Sequence, residues 1–318
     1  MEMAIDWKVM KGLGYSDYFS MIEGLDLDAV AVNQVLYLLG LRRWTTKLVK
    51  TYTDEWGIKR RFTGELLPFP VEHPVSTLEE LSVYKPPNPA DSPLLKAVRL
   101  AKKRCPNRAI VMLSRAVFAA SWYLVGLENL LVSYITDPGF ANQVARMTVD
   151  YHKRLCVLAV EAGVDVIILT DDYAHKTGCL MSPSQFEEFI LPGFIEVVAA
   201  IKDAGGYCIK HTDGNIWEIL DPIADSGIDG LGPLEPAAGM DLAKVRERLD
   251  AQLCLVGNID VDLLSRGTQT DVKAKTIDLV ETVSQRGSHI LSSGNTITSS
   301  VRPENFKMMI DTARETGV

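Results

Sequence analysis

The sequence predicts an α/β protein, built as a single (β/α)8 TIM barrel with an N-terminal extension that contains a hairpin. Short apolar segments alternate with helix-length segments through most of the chain, which is the pattern of right-handed βαβ units around a parallel sheet. Polar residues directly follow most of the apolar segments, as expected where barrel strands end at a common mouth. No compositional break divides the chain, so residues 1–318 are expected to form one domain.

The N-terminal part, residues 1–108, is expected to hold elaborations and the first strand. Residues 27–33 predict that strand, which ends in Asn33, and a helical stretch is expected after it. Residues 50–62 alternate around Trp56-Gly57 and predict a hairpin outside the barrel. Residues 64–92 contain six prolines and few periodic apolar residues, so they predict a long surface excursion.

Residues 109–318 predict regular βα units, which begin after a helix that starts at Ser92-Pro93. Six further strands are expected at residues 109–113, 164–169, 207–211, 228–231, 253–256 and 288–291. The helices between them are expected at residues 139–162, 184–204, 241–250 and 269–286. This gives seven strands, and the eighth has no clear position. A doubly wound open sheet is the alternative, although no G-x-G-x-x-G opens a helix, which weakens its dinucleotide-binding form.

Polar residues at the strand ends are the candidates for a functional site. They are Arg115, Asp171, Asp172, Tyr173, His211, Asp213, Glu235, Asn258, Asp260 and Asn295. His211 is the strongest, because it lies at the end of a strand, whereas Asp213 belongs to the turn formed by Asp213-Gly214-Asn215. Asn258 and Asp260 also fit a helix cap, and Arg115 also fits an ion pair with a carboxylate.

One imidazole and several carboxylates at one mouth allow two kinds of chemistry. Such a set can hold a borderline or hard divalent ion, or it can act as acid and base without a metal. The sequence has no thiolate zinc set and no nucleophile elbow. Three other histidines are weaker candidates for the site. His73 is expected to be exposed, His152 to face solvent on its helix, and His289 to lie at the bottom of the barrel.

Composition argues against several classes of partner. The formal net charge is −8, which does not favour nucleic acid or an anionic membrane. No apolar run approaches the roughly 18 to 20 residues that span a bilayer, and the first residues lack a secretion signal. The five cysteines form no C-x-x-C and fit reduced thiols. We therefore expect a cytoplasmic protein.

Several segments in a fixed order resemble the uroporphyrinogen decarboxylase superfamily. The segments are Thr170-Asp171-Asp172, Met181-Ser182-Pro183 with Phe186-Glu187-Glu188-Phe189 and Pro192, His211-Thr212-Asp213-Gly214-Asn215, Gly257-Asn258-Ile259-Asp260 and Arg302-Pro303-Glu304-Asn305. The resemblance covers residues 100–318, with a weaker extension through Asp54-Glu55-Trp56-Gly57. It implies a (β/α)8 barrel.

Departures from the family patterns indicate a branch. The arginine-rich, glycine-containing segment with which uroporphyrinogen decarboxylases meet porphyrinogen carboxylates is missing from the N-terminal part. The coenzyme M methyltransferase branch holds zinc with His-x-Cys and a later Cys, where this chain has Asp213 and Asn295. The remaining resemblance is to the methyltransferases of corrinoid-dependent O-demethylase systems (methyltransferase I). Those proteins move a methyl group from an ether, often an aryl methyl ether, to the cobalt of a separate corrinoid protein.

This resemblance implies roles for the strand-end residues. His211, Glu235 and Asp172 are expected to be catalytic and to hold Zn²⁺ or a proton, while Asp213 and Asn295 orient them. Substrate contacts are expected from Asp171, Tyr173, Arg115, Asp213, Asn258 and Asn295, and an aromatic rim from Trp122, Tyr123, Tyr173 and Trp217. The implied cofactors are zinc and a corrinoid (cobalamin) that a partner protein carries. The implied partners are that corrinoid protein and a small methyl ether, and a homodimer is compatible with the sequence.

Two other functions stay open at this point. A decarboxylase acting on a carboxylated ring would release carbon dioxide without a corrinoid. A catalytically inert barrel would bind a small molecule or a corrinoid protein without turnover.

Overall fold

A parallel sheet forms the centre of the molecule. The computed structural model describes residues 2, 4–33, 50–62, 68–249 and 253–317. The strands are β1 (Ala29–Ala31), β2 (Thr51–Thr53), β3 (Lys59–Arg61), β4 (Phe69–Glu72), β5 (Ala109–Ser114), β6 (Val166–Thr170), β7 (Ala174–His175), β8 (Gly178–Cys179), β9 (Tyr207–Thr212), β10 (Gly230–Pro233), β11 (Cys254–Val256) and β12 (His289–Ile290). Seven of them form one sheet in the order β1-β5-β6-β9-β10-β11-β12. Each of the seven predicted strands is present at or within two residues of its predicted start.

Helices follow the strands as the βα pattern requires. They are α1 (Trp7–Gly12), α2 (Tyr18–Gly24), α3 (Leu78–Val83), α4 (Pro93–Arg104), α5 (Phe118–Val125), α6 (Leu127–Thr136), α7 (Pro138–Glu161), α8 (Pro183–Gln185), α9 (Leu191–Asp203), α10 (Leu220–Ala224), α11 (Leu242–Arg248), α12 (Val261–Arg266), α13 (Gln269–Thr282) and α14 (Pro303–Glu315). A π-helical segment, Phe186–Ile190, joins α8 to α9. The helix expected after Asn33 lies outside the described residues.

Apolar side chains fill both faces of the sheet, as in other parallel sheets. Val111, Ile168, Ile209 and Val256 form a small cluster on the concave face. A much larger cluster lies between the convex face and the helices, and it includes Ile167, Phe194 and Cys208. Alternate residues of one strand therefore point into the barrel and towards the helices.

The strand register brings three strand ends together. Thr170 at the end of β6 pairs with His211 on β9. His211 in turn pairs with Gly232 on β10. The residues that follow β6, β9 and β10 therefore emerge side by side at the carboxyl ends of the strands.

The N-terminal extension contains the predicted hairpin and one strand that was not predicted. β2 and β3 pair antiparallel around the Trp56-Gly57 turn, and the Asp54 carboxylate holds that turn by accepting from the backbone amide of Ile58 and from Arg60 Nε. β4 pairs with β3, so part of the proline-rich excursion forms a strand that the sequence did not predict. Pro70 lies in β4, at the edge of this small sheet, where a missing amide is tolerated.

A cavity separates the two edge strands of the large sheet. Its volume is about 490 Å³, and its walls include Ala29 on β1, Ile290 on β12 and Met309 on α14. Above it, Ile5 makes a single parallel bridge to Ile297. Within the described residues the sheet is a curled half-barrel of seven strands, and its closure by an eighth strand stays a prediction.

Among the described residues, no single helix is long and apolar enough to cross a bilayer. The consecutive helices α5 and α6, which meet at 102°, reach the required length and apolar composition only as a bent pair.

Candidate active site

His211 lies at the carboxyl end of β9 and faces the inside of the half-barrel. Its side chain is 9% exposed. It lines a cavity of about 20 Å³ together with Glu2, Pro233, Ser293 and Asn295. A space of this size holds about one water-sized group. The imidazole is thus accessible to a small ligand atom but otherwise enclosed.

Two carboxylates approach the same imidazole nitrogen. His211 Nε2 lies 3.7 Å from Asp172 Oδ1 and 3.7 Å from Asp213 Oδ1. One ligand atom from each of the three residues lies within 4.8 Å of the others. The side chain of Asp172 is 55% exposed and that of Asp213 is 29% exposed, so the cluster opens towards the mouth on the Asp172 side.

Asp213 is the member of the cluster with the most unusual environment. Its Oδ2 accepts a hydrogen bond of 2.8 Å from Asn295 Nδ2. Its Oδ1 is buried and has no hydrogen-bond partner among the described residues. Burial and the negative charges of Asp172 and Glu235 raise the pKa of Asp213, while His211 opposes the shift. An oxygen in this state is suited to binding a cation or a proton.

Glu235 supports the turn next to the cluster and does not belong to the group of three. Its Oε2 accepts from the backbone amide of Gly214 at 3.4 Å. The amide of Asp213 donates to Asp172 Oδ1 at 3.0 Å. We expected Glu235 to be a metal ligand and Asp213 to orient the ligands. In the structure Asp213 Oδ1 lies next to His211, whereas Glu235 contacts the backbone of the turn that follows Asp213.

Glycine is required at position 214 because of the close packing of that turn. Gly214 has φ +83°, and a Cβ there would lie 2.5 Å from both the carbonyl carbon and the carbonyl oxygen of Ala174. The turn that follows His211 is therefore pressed against the β7–β8 hairpin.

The donor set fits a divalent metal such as zinc. Ligand atoms that share one ion at about 2 Å lie roughly 3 to 4 Å apart, in agreement with the separations at His211. One imidazole nitrogen and two carboxylate oxygens suit zinc and leave a coordination position for a substrate or water. The unpartnered Asp213 Oδ1 is the specific observation that such an ion would explain.

Asp171 has a structural role in place of the predicted contact with substrate. It is fully buried, and its carboxylate accepts from four consecutive backbone amides, those of residues 116–119, at 2.8 to 3.4 Å. These are the unsatisfied amides at the start of α5. The carboxylate therefore anchors this helix to the end of β6.

Tyr173 and Asn258 are also buried, which disagrees with their predicted contacts at the mouth. Tyr173 is fully buried against Phe118 and Phe186 and is not part of a rim. Asn258 is 3% exposed and donates from Nδ2 to the carbonyl groups of Leu234 and Met240. Since Leu234 adopts φ +58°, Asn258 stabilises the turn that precedes Glu235.

The remaining predicted residues lie around the periphery. Arg115 stacks on the Tyr123 ring, with 4.3 Å between Cζ and the ring centroid. Trp122 packs edge-on against the same ring. Trp217 donates from Nε1 to the carbonyl of Gly239. Asp260 caps α12 by accepting from the amide of Asp262, as the cap interpretation of this segment predicted.

The structure places two histidines differently from the prediction. His152 is 6% exposed, stacks parallel to Trp56 and lies 3.1 Å from Ser114 Oγ through Nδ1. The prediction that it faces solvent is wrong, because the N-terminal extension covers this face of α7. His73 is half-buried, with Nδ1 2.7 Å from the carbonyl oxygen of Tyr123.

Two residues near the cluster were not found from the sequence. Lys210 is fully buried, and burial lowers its pKa to about 8 although the charges of Asp171 and Asp172 oppose the shift. A lysine in an apolar strand was the available signal. Glu2 accepts from the Ser293 amide at 2.8 Å, and burial raises its pKa. No sequence pattern connects residues so far apart in the chain.

The chain is similar to proteins of one enzyme family. The family profile described as "Uroporphyrinogen decarboxylase (URO-D)" matches residues 53–316. The uroporphyrinogen decarboxylase of Chlorobaculum tepidum is 29% identical over 233 residues, which are 70% of this chain and 64% of that protein. The uroporphyrinogen decarboxylase of Chlorobium phaeobacteroides is 27% identical over 242 residues, 71% of this chain and 65% of that protein. The matched region thus spans a little under two thirds of these relatives.

Two solved structures share the architecture. A methyltransferase from Methanosarcina mazei superposes with a TM-score of 0.71 and 19% identity over 99% of both chains. A B12-independent methionine synthase from Shewanella sp. W3-18-1 superposes with a TM-score of 0.54 and 12% identity, over 85% of this chain and 79% of that one. At this level of identity the likeness establishes the fold alone.

Proposed function

Because this chain belongs to the uroporphyrinogen decarboxylase (URO-D) family, we propose that it is an enzyme, and that this enzyme is a methyltransferase. In this proposal it removes the methyl group of an ether, most readily an aryl methyl ether, and passes it to the Co(I) corrinoid of a partner protein. The cluster formed by Asp172, His211 and Asp213, with its unpartnered Oδ1, is the observation that carries the proposal.

The chemistry of ether cleavage explains why such a cluster is needed. The leaving group is a basic oxyanion, since even phenol has a pKa of about 10. The cobalt of the partner supplies the nucleophile, so the barrel must stabilise the negative charge that develops on the ether oxygen. The side chains at the mouth are the groups available for this task.

The residues of the cluster divide the work between them. His211 and Asp213 hold the electrophile at Nε2 and Oδ1, and Asp172 adds a carboxylate on the open side. Asn295 fixes the rotation of the Asp213 carboxylate through Oδ2. A divalent ion, when bound there, supplies Lewis acidity at the ether oxygen. Without an ion, a proton held between the His211 imidazole and the Asp213 carboxyl group can be donated to the leaving oxygen.

A decarboxylase of a carboxylated ring is the second candidate, and the names of the curated relatives favour it. Charge at the mouth argues against it. Asp172 and Asp213 place two carboxylates beside one imidazole, and Glu235 adds a third on the adjacent turn; like charges disfavour the binding of a polycarboxylated substrate.

Methyl transfer is tested by mixing the protein with a Co(I) corrinoid protein and a panel of aryl methyl ethers. We expect methyl-cobalt, measured by absorbance, and the corresponding phenol in equal amounts. His211→Ala is expected to abolish both, and His175→Ala is the matched control because His175 is an exposed imidazole in the β7–β8 hairpin. Absence of methyl-cobalt across the panel, together with release of carbon dioxide from a ring carboxylate, would support the decarboxylase.

Metal analysis separates the two versions of the proposed site. We expect about one zinc per wild-type chain, as a closely spaced set of one imidazole and two carboxylates requires, and its loss in His211→Ala and Asp213→Asn. Ether cleavage by a metal-free wild type would assign the electrophile to a proton held by His211 and Asp213.

A further inference from the structure

Lys210 is buried behind the candidate site, on the face of β9 that points away from the cavity. It is fully excluded from solvent. Its Nζ donates to the carbonyl groups of Asp171 at 2.6 Å and His211 at 2.7 Å, and it lies 3.4 Å from that of Leu169. The Tyr173 ring lies 4.1 Å from the same nitrogen. Since an ammonium group has three donor hydrogens, backbone carbonyls satisfy all of them.

The carbonyl groups in question belong to the two segments that supply the cluster. Asp171 is joined through its carbonyl to Asp172, whose carboxylate approaches the imidazole of His211. The His211 carbonyl belongs to the imidazole-bearing residue itself. One ammonium therefore fixes the peptide groups of both residues from the opposite side of the sheet.

Stability alone does not account for a charge at this position. Desolvating an ammonium is costly, so a buried charge is weak evidence for a role in stability. The surroundings would accept an apolar chain, because Tyr173 and Phe194 form the wall on the helix side. The hydrogen bonds of the ammonium group instead go to backbone carbonyls, including those of Asp171 and His211.

We propose that Lys210 is a positioning residue, whose ammonium group holds the backbone at Asp171 and His211 so that the Asp172 carboxylate and the His211 imidazole keep the separation that binds a divalent ion. This inference rests on the proposed function, because it assigns Lys210 to the metal set of that site. It differs from a role in folding, since the ammonium acts on the relative placement of two ligands.

The test compares Lys210→Met with Cys208→Ala. Cys208 is the matched control because it is buried on the same face of β9, two residues earlier. Three properties are measured for each protein: the urea midpoint of unfolding, the zinc affinity by competition with a chromogenic chelator, and the visible spectrum after loading with Co²⁺. The cobalt spectrum reports ligand geometry, which a purely structural role would leave unchanged.

We expect the two substitutions to differ in their effects on metal binding. Lys210→Met leaves buried carbonyl groups without a donor, so it should lower the urea midpoint. It should also lose about 10- to 100-fold in zinc affinity, as for other residues that orient metal ligands, and shift the cobalt spectrum. Cys208→Ala should lower the midpoint and leave both metal properties unchanged. Lys210→Gln, which retains two donor hydrogens, should recover part of the affinity.

Specific results would overturn the inference. Wild-type zinc affinity and an unchanged cobalt spectrum in Lys210→Met would show that the ammonium does not position the ligands. If neither Lys210→Met nor Lys210→Gln folds, the charge is needed for folding and the proposal is wrong. A wild type that binds no divalent ion would overturn this inference together with the metal version of the proposed function. A wild type that binds zinc, with unchanged zinc affinity in Lys210→Met, would overturn this inference alone.

Discussion

Burial of His152 makes the stability of this protein fall in mild acid. The imidazole lies between Ser114 and Trp56 under the N-terminal extension. Burial, assisted by the positive charge of Arg115, lowers its pKa from the usual 6.5 to about 3. The folded protein therefore keeps this imidazole neutral at pH values at which the unfolded chain protonates it.

The sign and size of the effect follow from proton linkage. Between pH 6.5 and pH 3 the unfolded state binds one more proton than the folded state at this site, so stability falls as the pH falls. The loss approaches about 1.4 kcal/mol per pH unit within that window. From pH 7 to pH 5 the contribution of His152 amounts to about 2 kcal/mol.

Urea unfolding at pH 7 and pH 5 measures this contribution. His152→Gln removes the titrating group and keeps an amide that can bond to Ser114, so its loss of unfolding free energy between the two pH values should be smaller than that of wild type by about 2 kcal/mol. His175→Gln, which removes an exposed imidazole, is the control and should retain the wild-type pH dependence. An equal pH dependence in wild type and His152→Gln would refute the argument that burial of His152 lowers the free energy of unfolding in mild acid.

Three further substitutions test the supports of the site. Asp171→Asn weakens the anchor of four backbone amides and should cost about 2 to 3 kcal/mol in urea unfolding; an unchanged midpoint would contradict the anchoring role. Gly214→Ala places a methyl group 2.5 Å from the Ala174 carbonyl. We expect it to destabilise the protein by about 1 to 3 kcal/mol and to abolish zinc binding. Retention of full zinc affinity would show that the turn is not tightly constrained. Asn295→Ala removes the donor to Asp213 Oδ2 and should lower zinc affinity about 10- to 100-fold with little change in stability, whereas a large loss of stability with normal zinc affinity would make Asn295 structural.

The predicted parts of the fold are those in which burial imposes a simple pattern. β5 and β6 are covered on both faces, so each appears in the sequence as an apolar run. β4 was missed because it is an edge strand that contains Pro70 and, among the described strands, pairs with β3 alone. Edge strands carry weak patterns, since only part of their surface is buried. The eighth strand was not placed from the sequence, and the described residues leave a cavity between β1 and β12.

The candidate site could be predicted at the level of strand ends but not of individual side chains. The rule that strand ends meet at one mouth selected Asp172, His211, Asp213 and Asn295, and the structure brings these four together. The same rule also selected Asp171, which turns away from the mouth to bind the start of α5. Adjacent loop residues point in different directions, and the backbone angles that decide between them depend on tertiary contacts that one sequence does not reveal.

The alternation of β9 links the chemistry of the site to a residue outside it. Because successive side chains of a strand lie on opposite faces, Ile209 and His211 face the cavity, while Cys208 and Lys210 face the helices. A group on the helix side cannot reach the imidazole of His211, but it can reach the backbone carbonyl, as Lys210 does. The residue before the histidine in sequence is therefore well placed to fix its backbone without competing for the ligand. This is also why the lysine was not recognised from the sequence: its function depends on which face of the strand it occupies and on the carbonyl of Asp171, 39 positions away.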